Sequence, residues 1–397
     1  MSAERRGNEN LCCSAEAEKA ARLVAAKLKI PFYVFNFAKE FKKEVVDYFL
    51  DELARGRTPN PCAVCNKKIK FGLLFKKALA LGADFIATGH YARIKKDVIL
   101  SPKGEESRAD AAATLFRLFV AKDKNKDQSY FLYQLNQKQL SRIIFPMGDY
   151  TKERVYQMAK KWCLPYRQEE SFDLCFVGSD TGSFIKKYLK LKSGKIIGIR
   201  FCHSRESPAE RDESGNPESI KSGFRVKRGM TISKDFKVLG EHRGLALYTI
   251  GQRKNLVVPN GPWWVVKKDN QKNILYVSND EKDLYGGQMS VSRVNWIDKQ
   301  APKLPMRVRV KIRYKSEAAE AIIRYVVASP AKRGEITPAL AVKIRDGHGV
   351  PPFANGGTPR HDILAVKFRN SQRAVTPGQS AVLYSGRGEI LGGGVII

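Results

Sequence analysis

The stretch "RTPNPCAVCNKKIKFG", residues 57–72, sets Cys62 and Cys65 three positions apart, after two prolines and ahead of Lys67, Lys68 and Lys70. Two thiols at that spacing can be half of a metal site, a redox pair, or a nucleophile with a helper. A zinc site needs two further ligands at matching spacing, and the sequence has no second Cys-x-x-Cys. A thioredoxin-type pair follows a strand directly, whereas this pair follows a proline-bearing loop. Cys65 is expected in the first turn of a helix starting near Ala63, where the helix dipole and the lysines favour a thiolate. Such a thiol suits a nucleophile or a sulfur carrier. Cys175 is the candidate third thiol: it either meets Cys65 in one active site or joins Cys62 and Cys65 around an iron–sulfur cluster. Cys163 is expected to pack at a helix end beside Trp162. Cys12, Cys13 and Cys202 carry no chemistry by their spacing, and His203, His242, His348 and His361 are too scattered for a triad.

Those thiols must be held by surrounding elements. Ser14 can cap a helix bearing Ala20, Leu23, Val24 and Leu28 at the 3.6-residue period. "PFYVF" (31–35) reads as a short buried strand, followed by a helix through Phe41, Val45, Tyr48 and Phe49. The helix after the Cys-x-x-Cys carries Phe71, Leu74, Phe75, Ala78 and Leu81 on one face. A strand at Phe85–Thr88 then ends at Gly89-His90. This alternation predicts a parallel sheet with helices on it. Ligands of such sheets sit beyond the carboxyl ends of strands, where Gly89 allows a close approach. "NKDQSYFLYQL" (125–135) reads as turning helical, Val155 to Trp162 as an amphipathic helix, and "SFDLCFVG" (171–178) as a short strand carrying Cys175.

From about residue 190 strand patterns take over: "LALYTIG", "PWWVVKK", "NILYVS", "AVLYSG" and the terminal "GRGEILGGGVII". Residues 200–235 read as an insertion and 345–362 as a second long loop. In "MRVRVKIRYKS", Arg307, Arg309, Lys311, Arg313 and Lys315 share one parity and Val308, Val310, Ile312 and Tyr314 the other. A strand would therefore stack five cations on one face. Like charges so placed repel, and phosphates running past them would offset that cost.

Lys and Arg number 71 against 40 Asp and Glu, a net charge of +31. An excess this large points to a polyanionic partner, most simply nucleic acid. No apolar run is long enough to span a bilayer, and the first residues lack the apolar core of a secretory signal. A cytoplasmic protein with no membrane partner is expected, its cysteines reduced.

Seven collinear stretches carry a resemblance: "CCSAEAEKAARLVAAKLKIPFYVFNF", "GRTPNPCAVCNKKIKFG", "ADFIATGHYAR", "NKDQSYFLYQL", "CFVGSDTGSFIKKYL", "LGEHRGLALYTIGQR" and "LGGGVI". Together the chain resembles the bacterial tRNA-specific 2-thiouridylase family. The resemblance implies an α/β nucleotide-binding domain of the adenine nucleotide alpha hydrolase-like type over 1–190, truncated at its N-terminus. It further implies a small central domain over 191–285 and a tRNA-contacting C-terminal β-barrel over 286–397. The implied reaction is sulfur transfer to the wobble uridine of tRNA: ATP, with Mg2+, adenylates the 2-oxygen, and a cysteine persulfide delivers sulfur to C2. A cysteine desulfurase or relay protein would load that persulfide. By the same resemblance Cys65 is the nucleophile that aids sulfur release and Cys175 bears the persulfide. Asn60, Pro61 and Cys62 touch the target base, Gly89 lies against the nucleotide, and Lys126, Asp127, Gln128, Arg313 and Tyr314 contact tRNA. Two departures stand out. The family's Ser-Gly-Gly-x-Asp-Ser phosphate loop occurs nowhere in these 397 residues, so weak adenylation by the chain as it stands is expected. Cys62 replaces the family's commoner aspartate, which gives a three-thiol [4Fe–4S] site on Cys62, Cys65 and Cys175 as alternative chemistry. Separately, a non-catalytic tRNA-binding fragment is the alternative role.

Overall fold

A computed structural model describes residues 15–99, 113–166, 174–177, 180–199, 201–203, 230–232, 237–256, 258–326 and 363–397. Ser14, the loop at 345–362 and most of 200–235 lie outside the described residues. The chain divides into two compact units, residues 1–189 with 286–397, and residues 190–285.

The first unit opens with α1 (Ala15–Lys27), which has Glu16 and Glu18 in its first turn and Lys27 in its last, as the helix dipole favours. Leu23 and Leu28 of its apolar stripe face solvent. "PFYVF" is not a strand. It runs outside any ladder of the described residues, with Tyr33 71% and Val34 61% exposed, and an unpaired backbone stays in water for want of partners. The next helical run, α2 (38–54), is wound as a π-helix over Lys42–Asp47. After the proline loop, α3 (61–80) is π-wound over Asn66–Leu74. Strand β1 (Ile86–Ala87) pairs in parallel with β4 (Ile143–Ile144), and β2 (Ala92–Ile99) pairs antiparallel with β3 (Ala113–Val120).

Between these strands, residues 125–135 make one tight turn at Ser129–Phe131 instead of a helix. The Asp127 carboxylate accepts from the backbone N–H of Ala121 (2.9 Å) and Ser129 (3.3 Å), and so competes with helical bonding. A short α4 (Gln137–Leu140) follows, with a reciprocal cap between Asn136 and Gln139. Helix α5 (Lys152–Lys161) is capped by Thr151 and ends at Trp162. Cys163 then takes the left-handed position (φ 51°) that terminates the helix, which leaves it exposed rather than packed. Residues 174–177 form a turn, not a strand, with the Val177 N–H donating to the Leu174 carbonyl at 3.2 Å. Phe176 holds this turn against Phe41, Phe49 and Phe184, the last on α6 (Thr181–Tyr188).

The C-terminal part closes into a six-stranded barrel. Its strands are β11 (Tyr285–Trp296), β12 (Met306–Lys311), β13 (Ala319–Val326), β14 (Ile363–Arg373), β15 (Ser380–Tyr384) and β16 (Ile390–Ile396), in the order β11-β14-β13-β12-β15-β16. Val308, Val310, Ala321, Ile323, Leu364, Val366 and Phe368 alternate inward to fill it. The cationic strand is shorter than its pattern suggests. It stops at Lys311, and Arg313 enters a turn in which the Ser316 hydroxyl accepts from the Arg313 N–H and donates to its carbonyl. Arg307, Arg309 and Lys311 alone therefore share the strand face. On its other side the barrel shares a core with the α/β elements: Val382, Tyr384 and Ile390 pack with Phe71, Leu118, Tyr130, Leu132 and Tyr133.

The second unit is a four-stranded sheet in the order β8-β5-β10-β9. Its strands are β5 (Gly194–Gly198), β8 (Lys237–His242), β9 (Trp264–Asp269) and β10 (Ile274–Ser278), over a core of Ile196, Leu245, Tyr248, Val265, Leu275 and Val277. A separate pair, β6 (Phe201–His203) with β7 (Met230–Ile232), joins the two ends of the expected insertion. "LALYTIG" is a tight turn, Leu245–Leu247, rather than a strand. The buried His242 ring accepts from the Gly244 N–H at Nδ1 (3.0 Å) and donates from Nε2 to the Asn273 carbonyl (3.1 Å), pinning the chain there.

Candidate functional site

Helix α3 begins two residues earlier than the expected start near Ala63. Asn60 is its N-cap, its side-chain oxygen accepting from the Ala63 N–H at 3.2 Å, and Pro61 fills the first helical position, where no N–H is needed. Cys62 therefore lies in the first turn, within reach of the helix dipole. Cys65 sits one turn further on, inside the hydrogen-bonded helix, so the helix N-terminus expected to act on Cys65 faces Cys62 instead. Both thiols are half-buried. Of the lysines behind them, Lys68 pairs with Glu44 of α2 at 3.1 Å, and Lys67 has its pKa lowered by burial and by Lys68.

The loop ahead of the thiols is fixed to the barrel. The Asn60 amide donates to Ser380 Oγ (2.9 Å), which donates in turn to the Tyr133 hydroxyl (3.2 Å). Gln379 Nε2 donates to the carbonyls of Thr58 (3.1 Å) and Pro59 (3.2 Å), and the Thr58 N–H donates to the Pro377 carbonyl. At the loop's start Arg57 clasps the buried Glu52 carboxylate, a pairing that holds Glu52 below the usual carboxylate range. The Tyr130 hydroxyl donates to the Ser380 carbonyl at 2.9 Å. Ser380, Gln379, Tyr130 and Tyr133 escaped sequence reasoning because their partners lie some 250 to 320 positions away. Only the polar letters of "PGQSAVLY" amid an apolar strand hinted at them.

Cys175 lies half-buried in the turn anchored by Phe176 to Phe41 and Phe49 of α2. The same helix carries Glu44, the partner of Lys68 on α3, so α2 is the common support of both thiol-bearing segments. Among the described residues no group of three or more His, Cys, Asp or Glu side chains is placed to hold a metal ion. Cys62, Cys65 and Cys175 are accordingly not brought together as such a group among the described residues.

Gly89 is exposed beyond the end of β1, and a Cβ there would meet nothing within 4 Å. His90 behind it is buried between Phe71 (5.7 Å) and Phe145 (5.8 Å), its Nδ1 2.8 Å from Thr88 Oγ1. Burial, with help from the Lys70 charge, lowers its pKa to about 3 and keeps the ring neutral. An unfolded histidine titrates near 6.5, so this contribution to stability is complete above pH 6.5 and is lost as pH falls toward 3. Between pH 6.5 and 5 the loss amounts to about 2 kcal/mol. Urea unfolding at pH 7 and pH 5 is expected to show that extra acid sensitivity in the parent and its absence in His90→Gln; equal sensitivity would contradict the assignment.

The positions expected to touch tRNA have distinct surroundings. Asp127 is buried and, besides its backbone bonds, accepts from Ser129 Oγ at 2.8 Å; Gln128 exchanges bonds with Tyr91 through its backbone N–H and its side-chain oxygen. Lys126 is half-exposed on the same loop. Arg313 donates to the Ala374 carbonyl (2.9 Å) and Thr376 Oγ1 (2.8 Å), and burial lowers its pKa. The Tyr314 ring rests on Phe131 at 4.6 Å, with Lys311 Nζ 5.6 Å from its centre. Of these positions, Asn60 through Ser380 and Tyr314 through Phe131 join the α/β elements to the barrel.

Comparison with known proteins gives three domain matches: a tRNA methyl transferase HUP domain over residues 1–179, a tRNA methyl transferase PRC-barrel domain over 218–279, and an aminomethyltransferase beta-barrel domain over 328–396. The chain is 34% identical over 98% of its length to the tRNA-specific 2-thiouridylase MnmA of Clostridioides difficile, covering 86% of that protein. It is 36% identical over 96% of its length to the protein of the same name from Syntrophomonas wolfei, covering 88% of it. The Roseiflexus castenholzii MnmA is 35% identical over 98% of the chain, with 87% covered.

Proposed function

The chain belongs to the tRNA-specific 2-thiouridylase family, and on that premise we propose that it is a tRNA-uridine 2-sulfurtransferase acting at the wobble uridine. The observation that carries this reading is full-length similarity to proteins named for 2-thiouridine formation, in a chain whose Cys-x-x-Cys helix opens from a loop locked to the barrel. In this reading ATP supplies adenylation of the 2-oxygen, which turns a poor leaving group into AMP. Asn60, Pro61 and Cys62 line the seat of the base, and Gly89 leaves room for the nucleotide beyond β1. Cys175 carries the outer sulfur as a persulfide received from a cysteine desulfurase or relay protein. That sulfur attacks C2 and AMP leaves, and the Cys65 thiolate then attacks the Cys175 sulfur. The base departs with its new C–S bond, the two cysteines are left as a disulfide, and an external thiol reduces it. Lys126, Asp127, Gln128, Arg313 and Tyr314 border the tRNA path, Asp127 and Arg313 by bracing the loops that form it.

A second reading, a tRNA-binding chain without catalysis, is supported by the net charge of +31, which favours a polyanionic partner whether or not chemistry follows. Incubation with tRNA, ATP, Mg2+, cysteine and a cysteine desulfurase, followed by nucleoside mass spectrometry, separates the two. Formation of 2-thiouridine is expected of the enzyme, whereas salt-sensitive tRNA binding without it supports the second reading and loss of both defeats each.

A further inference from the structure

The barrel has two unlike outer faces. On one, Val382, Tyr384 and Ile390 of β15 and β16 are buried against the α/β elements. On the other, formed by β12, β13 and β14, the outward positions are exposed and basic. Arg307 and Arg309 on β12, Arg324 on β13, and Lys367 and Arg369 on β14 all point away from the apolar interior. The only acidic side chain of these three strands is Glu320.

Register sets these groups side by side. Arg307 pairs with Ile322, which pairs with Lys367, and Arg309 pairs with Glu320. Glu320 also accepts from Arg369 at 2.9 Å, and that guanidinium, with the charges of Arg309 and Arg307, holds its carboxyl below the usual range. One carboxylate thus serves several cations, and the remaining charge is not balanced within the strands. Like charges on adjacent and diagonal sheet positions repel by a few tenths to about 1 kcal/mol a pair. Residues two apart on a strand are about 7 Å apart, so the cations form a row and not a point. The row runs along β12 into Lys311 and Tyr314, beside the Arg313 turn.

We propose that the outer face of β12, β13 and β14 is a phosphate-binding track for the RNA backbone, extending from the Arg313–Tyr314 turn away from the thiols. It rests on the reading of this chain as a tRNA enzyme and adds where the body of the tRNA lies. The face reads no base. It supplies sequence-independent affinity, and its strength falls with salt as counterions reclaim the phosphates.

The test is tRNA binding by fluorescence anisotropy across a salt series, using an unmodified full-length tRNA transcript. The triple variant R307Q/R309Q/K367Q is expected to bind at least about tenfold more weakly at low salt, with the salt slope reduced by about 2 to 3. Glu320→Gln, which removes the one opposing charge, is expected to bind more tightly. Urea unfolding confirms that both variants fold, since all four positions are exposed. Affinity and slope equal to the parent's would overturn the track while leaving the enzyme reading intact. A parent that does not bind tRNA at all would overturn both. Unchanged tRNA binding with lost capture of the sulfur-donor protein would assign the face to an acidic protein instead and likewise overturn it.

Discussion

Cys175→Ser is expected to lose sulfur loading altogether. When the chain is incubated with cysteine and a cysteine desulfurase, the parent gains a reducible sulfur on Cys175 and the variant gains none. Serine is nearly isosteric but cannot hold a persulfide, so tRNA affinity stays within about twofold while 2-thiouridine formation falls by about three orders of magnitude or more. Cys65→Ser is expected to split these readouts: it loads sulfur like the parent yet fails to release it to the base. Cys62→Ser separates the chemistries further. If the thiol in the first turn of α3 lines the seat of the base as proposed, its loss is expected to cost about tenfold in transfer and to leave loading intact. An iron–sulfur mechanism predicts instead that all three substitutions abolish iron binding and activity together. Iron-dependent activity, or loading that survives in Cys175→Ser, would sink the assignment.

Much of this site is legible in the sequence, for reasons that differ by residue. The Asn60-Pro61 pair announces a helix start by chemistry alone, a capping side chain followed by a residue with no N–H to satisfy. The barrel strands show in their alternation, because one face must be apolar; Val308 and Val310 against Arg307 and Arg309 is the plainest case. Failures cluster where a side chain captures the backbone or where burial is aromatic rather than periodic. Asp127 takes the Ser129 N–H that a helix through 125–135 would need. Ser316 turns the chain at Arg313 and ends the cationic strand early. "SFDLCFVG" and "LALYTIG" have strand-like composition, yet Phe176 is held by three rings and Leu245 to Leu247 coil over the sheet core. The links from Asn60 and Thr58 to residues 377–380 span most of the chain, and local pattern carries no trace of such pairs.

Gly393→Ala is expected to destabilise this unit and to disturb the thiol-bearing loop with it. Gly393 lies in β16, where a Cβ would stand 2.5 Å from the Ala381 carbonyl oxygen and 2.8 Å from the Tyr133 ring. Neither neighbour can give way. Ala381 belongs to the paired strand β15, and Tyr133 is fully buried, with its carbonyl held by Asn295 Nδ2 at 2.8 Å. Inserting a methyl group into such a contact costs about 1 to 3 kcal/mol. The displacement of Tyr133 also strips Ser380 of its acceptor, and Ser380 is what holds the Asn60 amide. Instability and loss of sulfur transfer should therefore appear together. Gly378→Ala reaches the same loop from below. Its φ of +93° disfavours a side chain, and the new Cβ would sit 2.9 Å from the Thr58 nitrogen and oxygen. Gly287→Ala is the control, its Cβ meeting only Ser371 Oγ at 3.8 Å. Urea unfolding should rank Gly393→Ala well below Gly287→Ala, and sulfur transfer should fall in both Gly393→Ala and Gly378→Ala. Should Gly393→Ala unfold like the control, the close approach of Tyr133 to the barrel is wrong. Should it unfold early but keep full transfer per folded molecule, the barrel does not position the thiol loop through Ser380.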